Sequence, residues 1–426
     1  QQWRRFPSRE AFCLSRVTPP GFGRNQKRRQ RLPPTKSKSL KRSYPPRPKW
    51  LQSVPPCLVR SAWPTAWFAT PPTSIPRVAL TNVARHGFFY AGGEYVGQIG
   101  PMKEPTMGGA MYFEVMVPKK IRSPYPIGFL HGAGQTATDW LLTPDGRPGW
   151  AYNFLDMGYV VYLEDFPARG RSQYVPGVDG TNENLNLNIR TADNLEEIFT
   201  ASAARGDFPN AKKHTQWPGA GKPGDPAFEQ FYASQFPSLV SFPKQQELNR
   251  DAGIALLDKI GPAILMTHSQ SGTFHWPIAD ARPNLVKAIV AVEPNGPPVF
   301  ETEFKGAPVW FADMGAKKSS GLGEAPLTYD PPLKSGEELA FVQQGKPDAP
   351  DLVRCWQQTE PARKLPKLAN IPILIIVAEA SYHASYDHCT ANYLTQAGVR
   401  NTMIRLESRG IRHVILTGVH TNMCVL

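Results

Sequence analysis

The chain has 426 residues and a formal net charge of +13 at pH 7, from 48 Lys and Arg against 35 Asp and Glu. No apolar stretch approaches the ~20 residues that cross a bilayer, which excludes a membrane-spanning helix. The five cysteines, Cys13, Cys57, Cys355, Cys389 and Cys424, are odd in number and scattered, without a CxxC pair or His/Cys ligand spacing. They therefore give no metal site and leave the redox compartment undecided.

In chain order, residues 1–80 come first and carry the charge: 17 Lys and Arg against the single Glu10, hence +16, leaving −3 for the remainder. The same segment holds 14 of the 44 prolines and no helical or strand periodicity. Such a composition predicts a disordered basic arm, because it cannot bury enough apolar surface to offset its ordering entropy. Three origins compete: an arm for nucleic acid or anionic membrane, a cleaved targeting peptide, or translation upstream of the true start, which a first residue Gln1 favours. Arg- and Ser-rich, acid-poor composition suits a transit peptide, but no apolar run of about 7 to 15 residues marks a secretory signal. The compartment is not assigned.

Beyond the arm, Tyr125–Leu130 is a strand-like run ending in His131-Gly132-Ala133-Gly134-Gln135. Glycines there let backbone N–H groups face a developing oxyanion, with Ala133 or Gly134 as donors beside Gln270. The Val160–Glu164 strand precedes a long stretch rich in Asn, Gly, Pro and aromatics (Trp217, Phe228, Phe231, Tyr232), which ends at a helix over Gln245–Lys259. Next, Ala263–Met266 reads as a buried strand delivering Thr267-His268-Ser269-Gln270-Ser271-Gly272, with a short helix over Thr273–Ala281 stopped by Arg282-Pro283-Asn284. A serine at such a turn is a nucleophile held in a strained conformation, although Thr267 and Ser271 fill the two glycine positions of G-x-S-x-G. Two later strands end in carboxylates, Val286–Val292 in Glu293 and Ile371–Ala378 in Glu379. Between them Pro297–Ala369 carries Trp310, Phe311 and Trp356, and Asn401–Leu406 is the last predicted strand.

From about Arg85 to Gly410 these motifs resemble the α/β-hydrolase superfamily, and within it a subgroup of bacterial and fungal esterases. The matching segments are Ala84–Gly93, His131–Thr136, Pro144–Trp150, Pro167–Ser172, His214–Gly219 and Thr267–Gly272. The resemblance implies an α/β-hydrolase fold: a mostly parallel, doubly wound sheet with the site beyond the carboxyl ends of its strands. It implies a cap insertion at about 170–245 over that site, within a hydrolase domain at 81–412. Ser269 would be the nucleophile and Glu293 the triad acid, holding the histidine in the correct tautomer, with His131, Trp217 and His383 as pocket residues.

The subgroup supplies its histidine from Gly-Ile-x-Gly-Asn-Gly-His. Here Gly410-Ile411-Arg412 begins that loop, and Leu416 stands where the histidine is expected. His413 is the nearest substitute, and His383 and His388 are further candidates. Residues 413–426 form an atypical end that resembles the isochorismatase-like cysteine hydrolases, whose turn would present Cys424; this points to a chimeric C-terminus.

The expected function is a serine carboxylic ester hydrolase working through an acyl-enzyme, with a small-molecule ester as partner, no cofactor and no metal. No nucleic acid is expected for the folded domain, and a homodimer is common in the fold. One alternative is a catalytically impaired α/β-hydrolase that keeps a ligand pocket. Another is a nucleic-acid-associated protein defined by its basic arm, whose binding would fall steeply with salt.

Overall fold

The computed structural model describes residues 78–99, 104–179 and 189–406. β1 (Val83–Ile99) and β2 (Glu104–Pro118) form a long antiparallel pair from Val83 opposite Pro118 to Ile99 opposite Glu104, with register shifts between Val83 and Arg85 and between Val96 and Gln98. β3 (Ile127–Leu130) and β4 (Val161–Asp165) follow, then β5 (Ala263–His268) and β6 (Val286–Val292). β7 (Glu301–Phe304) with β8 (Phe311–Met314), and β9 (Phe341–Gln343) with β10 (Trp356–Gln358), are two small antiparallel ribbons. β11 (Ile373–Ala378) and β12 (Asn401–Leu406) return to the main sheet, whose order is β1-β2-β4-β3-β5-β6-β11-β12. β2 meets β4 antiparallel, and every ladder beyond that is parallel. The doubly wound, mostly parallel sheet expected from the sequence is the one observed.

Five helices matter for the site: α1 (Trp150–Met157), α2 (Pro226–Ala233), α3 (Phe242–Ile260), α4 (His275–Ala281) and α5 (Asp387–Gln396). α3, α4 and α5 bury Leu256, Ile278 and Leu394 in one core, whereas α1 and α2 bury Leu155 and Phe228 in the other. Successive strand residues serve the two cores in turn, Leu265 then Met266 in β5 and Ile375 then Ile376 in β11. This double burial explains why these strands read as unbroken apolar runs. α3 begins at Phe242, ahead of the expected Gln245, because Ser241 caps it by accepting from Lys244 N at 3.3 Å and Pro243 fits the first turn.

The chain leaves β3 for β4 on one side and later returns to β5 on the other, so β3 and β5 are neighbours at the point where strand order reverses. Their carboxyl ends lie side by side at that switch point, where ligands usually bind in such sheets. Among the described residues no helix is long and apolar enough to cross a membrane. Cys355 and Cys389 form a disulfide across 34 residues, a pairing that the scattered cysteine spacing did not reveal.

β4 carries one buried anomaly. Glu164 is 1% exposed, and its Oε1 has no hydrogen-bond partner among the described residues. Burial, with the neighbouring Asp165 adding to it, pushes this carboxyl well above the ordinary range. A carboxyl raised by folding leaves stability intact at low pH and removes it as pH climbs above the ordinary carboxylate value. Glu164→Gln should therefore melt close to the parent at about pH 4 and above it at about pH 8; calorimetric melts across that interval would show a gap that widens with pH.

Candidate active site

At the end of β5 the backbone turns sharply: Ser269 adopts φ 52° and opens a 3-10 turn, Ser269–Thr273, that leads to α4. The helix expected from Thr273 thus begins at His275, after the 3-10 turn. His268 and Gln270 to Thr273 are buried, and Ser269 alone in this run is partly exposed. The residues in the two glycine positions have identifiable work. Ser271 Oγ accepts from His268 N at 2.8 Å and faces the carbonyls of His268 and Leu130 at 2.9 and 3.0 Å, joining the ends of β3 and β5. Thr267 Oγ1 lies 3.0 Å from His275 Nδ1 in α4. A Cβ added at Gly272 would fall 2.5 Å from Pro294 Cα, so the turn lies against the backbone that follows Glu293. Asn295 N donates to Ser269 O at 2.8 Å across the same seam.

The loop after β3 lies against this turn. A Cβ on Gly132 would sit 3.0 Å from His268 Nδ1 and 3.3 Å from Ser269 Cβ, so only glycine allows the approach. Ala133 is partly exposed, and Gly134 turns the loop at φ 73°. His131, expected in the pocket, is fully buried and braces the loop. Its Nε2 accepts from Phe166 N at 3.2 Å, so Nδ1 carries the proton and donates to Gly132 O at 2.9 Å. Burial, with Arg169 nearby, lowers its pKa to about 3, which keeps the ring neutral.

Arg169 ties the two loops together. Its guanidinium donates to Gly132 O at 3.1 Å, Gln270 Oε1 at 3.1 Å and Gln245 Oε1 at 3.3 Å. Burial pulls its pKa down to about 9, with the charge of Asp139 opposing. Sequence reading grouped Arg169 with its motif but gave it no role, because all three partners are distant in the chain.

Glu293, at the end of β6, is fully buried and also at positive φ, 47°. Its N–H donates to Ile376 O at 2.8 Å, and its carboxylate accepts from Ala378 N at 2.9 Å and Ser381 Oγ at 3.0 Å. The other carboxylate, Glu379, pairs with Lys213 in the stretch between β4 and α3. His383 is buried beside this group, with Nδ1 3.3 Å from Asp387 Oδ1 and Nε2 3.4 Å from Tyr386 Oη. Burial lowers its pKa to about 4, against the raising effect of Glu293. Trp217 donates Nε1 to Asp225 Oδ2 at 2.9 Å and packs edge-on against Phe231, so its polar atom is spent within that stretch. His413, with Leu416 and Cys424, lies outside the described residues. Ser381 went unnoticed in the sequence, since nothing local marks a hydroxyl that serves a carboxylate 88 residues away.

No family model matches the chain. It is 44% identical over 326 residues to phiG, a probable secreted lipase of a fungal species (strain ATCC 74256), across 76% of this chain and 82% of that protein. Among solved structures it is similar to a novel bacterial esterase, at 19% identity over 78% of this chain and 88% of the other, with a TM-score of 0.49. Naproxen esterase of Bacillus subtilis gives 11% identity, 81% and 89% coverage and a TM-score of 0.35. A monoacylglycerol lipase of Paleococcus ferrophilus gives 13%, 70% and 89%, and 0.32.

The contact between the serine turn and the loop after Glu293 has a direct test. Gly272→Ala places a methyl against Pro294 and Asn295 backbone that has no flexible end to yield. The expected cost is about 1–3 kcal/mol, the usual range for overpacking, read as a lower urea midpoint with an unchanged slope.

Proposed function

The chain belongs to the family of this secreted lipase, the esterases and lipases of the α/β-hydrolase fold, and is a hydrolase of carboxylic esters; on that premise we propose that it acts through Ser269 and an acyl-enzyme. The observation that carries this reading is the partly exposed, positive-φ Ser269 set flush against the glycine loop where the ends of β3 and β5 meet. Ser269 Oγ attacks the ester carbonyl while a histidine takes its proton. Backbone amides at Ala133 or Gly134 and at Gln270 hold the oxyanion, where one donor is worth roughly 3–4 kcal/mol. The protonated histidine hands its proton to the departing alkoxide, and water then releases the acid in a second, mirror-image step.

Glu293 is the proposed acid. Its carboxylate is fixed from two sides, whereas Glu379 is committed to Lys213. His413 is the proposed base, by its place in the chain. His383 is less suited, since its ring is completely buried and faces Asp387 and Tyr386. The stretch between β4 and α3 is proposed as a cap: its Phe199 and Phe208 pack edge-on against Tyr382, at 6.2 and 6.1 Å, beside the loop that holds Glu293. The disulfide favours an oxidising compartment, in keeping with a relative described as secreted.

Hydrolysis of p-nitrophenyl butyrate by the full chain and its variants tests this reading. Ser269→Ala should lower kcat/KM by about 10⁴-fold or more, and Glu293→Gln and His413→Ala by about 10³- to 10⁴-fold. Loss with Ser269→Ala but not with His413→Ala would move the base to His383 or His388. An intact chain no faster than Ser269→Ala would favour the impaired, ligand-binding alternative, for which the sequence offers Leu416 in the expected histidine position.

Arg169 gives a second, graded test. Arg169→Met should leave KM nearly unchanged and lower kcat roughly 10- to 100-fold, the scale of a small misplacement of oxyanion donors. Arg169→Lys should recover part of that loss.

A further inference from the structure

Three metal-ligating side chains converge where the β9–β10 ribbon meets the start of α5. Cys355 immediately precedes β10, and His388 and Cys389 stand in the first turn of α5. The two cysteines are bonded to each other, with Cα atoms 5.2 Å apart. His388 directs Nε2 at both sulfurs, 3.2 Å from Cys355 Sγ and 3.6 Å from Cys389 Sγ. Asp348 brings Oδ2 to 3.8 Å from the same nitrogen. Both cysteines are completely buried, packed with Val353 and Tyr386.

A disulfide needs no imidazole nitrogen between its sulfurs. A tetrahedral metal does. Zinc–sulfur bonds of about 2.3 Å and zinc–nitrogen bonds of about 2.0–2.1 Å place sulfur and nitrogen about 3.6 Å apart, and two sulfurs about 3.8 Å apart. The sulfur–nitrogen distances already stand near that edge. Only the sulfurs must part, which rotation of two side chains provides once the bond between them is open. Charge also fits, because two thiolates neutralise a divalent cation and make the ion tolerable in a buried place.

We propose that Cys355, His388 and Cys389, with Asp348 as fourth ligand, form a thiol-gated site for zinc or a chemically similar divalent transition metal. Two molecules of a small thiol reductant supply two electrons and two protons. They leave as their own disulfide, while the Cys355–Cys389 bond becomes two thiols. Metal binding then releases the two thiol protons and joins the ion to both sulfurs. In the bonded form described here the sulfurs are closed to metal. The cluster escaped the spacing rules because its members come from segments 33 residues apart that meet only in the fold.

The test uses the full chain with Cys13→Ser, Cys57→Ser and Cys424→Ser, so that only this pair can respond. The protein is reduced with a phosphine, freed of reductant and dialysed against zinc chloride or cobalt chloride. Expected are about one metal ion per reduced chain and none in the oxidised chain, tetrahedral cobalt–thiolate absorption, and a higher Tm for the reduced chain with zinc. Metal should be lost in the Cys355→Ser, Cys389→Ser double variant and be at least roughly 10-fold weaker in His388→Ala. A reduced chain that keeps its circular dichroism yet takes no cobalt overturns the proposal. So does a chain that unfolds on reduction and is not refolded by zinc, or metal retained by the double serine variant. An unchanged cobalt spectrum and affinity in His388→Ala would remove the histidine and with it the site as stated.

Discussion

Two non-glycine residues at positive φ, Ser269 and Glu293, stand at the ends of adjacent strands, and much of the local packing exists to keep them there. Each such residue costs of order 1–3 kcal/mol and persists only when its surroundings over-determine it. The surroundings are shared. Asn295, two residues after Glu293, bonds the carbonyl of Ser269, and Gly272, three residues after Ser269, lies on Pro294. Each strained residue is therefore held partly by the loop of the other. Neither is set by its own segment alone, and a side chain added at the seam would disturb both.

Charge is arranged around this seam in two unlike ways by arginines two positions apart. Arg171 sits between Asp165 and Glu114, at 2.8 and 2.5 Å, and the two carboxylates raise its proton affinity despite partial burial. Burial pushes the Asp165 carboxyl up, but bonds from Arg171 and from Ala137 N outweigh it and leave the group below its usual range. That ion pair welds the loop after β4 to the β1–β2 hairpin. Arg169 faces the other way and donates hydrogen bonds to neutral oxygens, while the charges of Asp139 and Asp165 also act on it. On the proposed mechanism, a fixed positive charge behind the backbone donors would strengthen their effect on a developing oxyanion.

What the sequence disclosed follows from how local each feature is. The strand, turn and small residues around Ser269 are contiguous, as are the strand and glycines ending at Gln135, so their elements could be placed without a fold. The sheet was legible because strands buried on both faces are apolar throughout. Other features belong to contacts between remote segments. Ser381 and Ala378 serve Glu293, Arg169 reaches Gln245 and Gln270, and Cys355 meets Cys389; no periodicity records such meetings. His131 and Trp217, expected as pocket residues, also have partners that no local pattern records: backbone groups at the first and Asp225 at the second take their polar atoms.

The two candidate carboxylates divide their labour in a way that the sheet explains. β6 lies directly beside β5, so a group at its end is one strand from Ser269, whereas β11 is a further ~4.8 Å away. Glu293 holds the nearer position, and β11 supports it from behind through Ile376 O and Ala378 N. On the proposed mechanism Glu379 has no duty toward Ser269. It binds Lys213, and Tyr382 next to it in the loop receives Phe199 and Phe208. With the proposed acid on β6, the end of β11 is left to fasten the proposed cap, and one short loop, Glu379–Ser385, serves both sides: its Ser381 bonds Glu293 while its neighbours meet the stretch between β4 and α3.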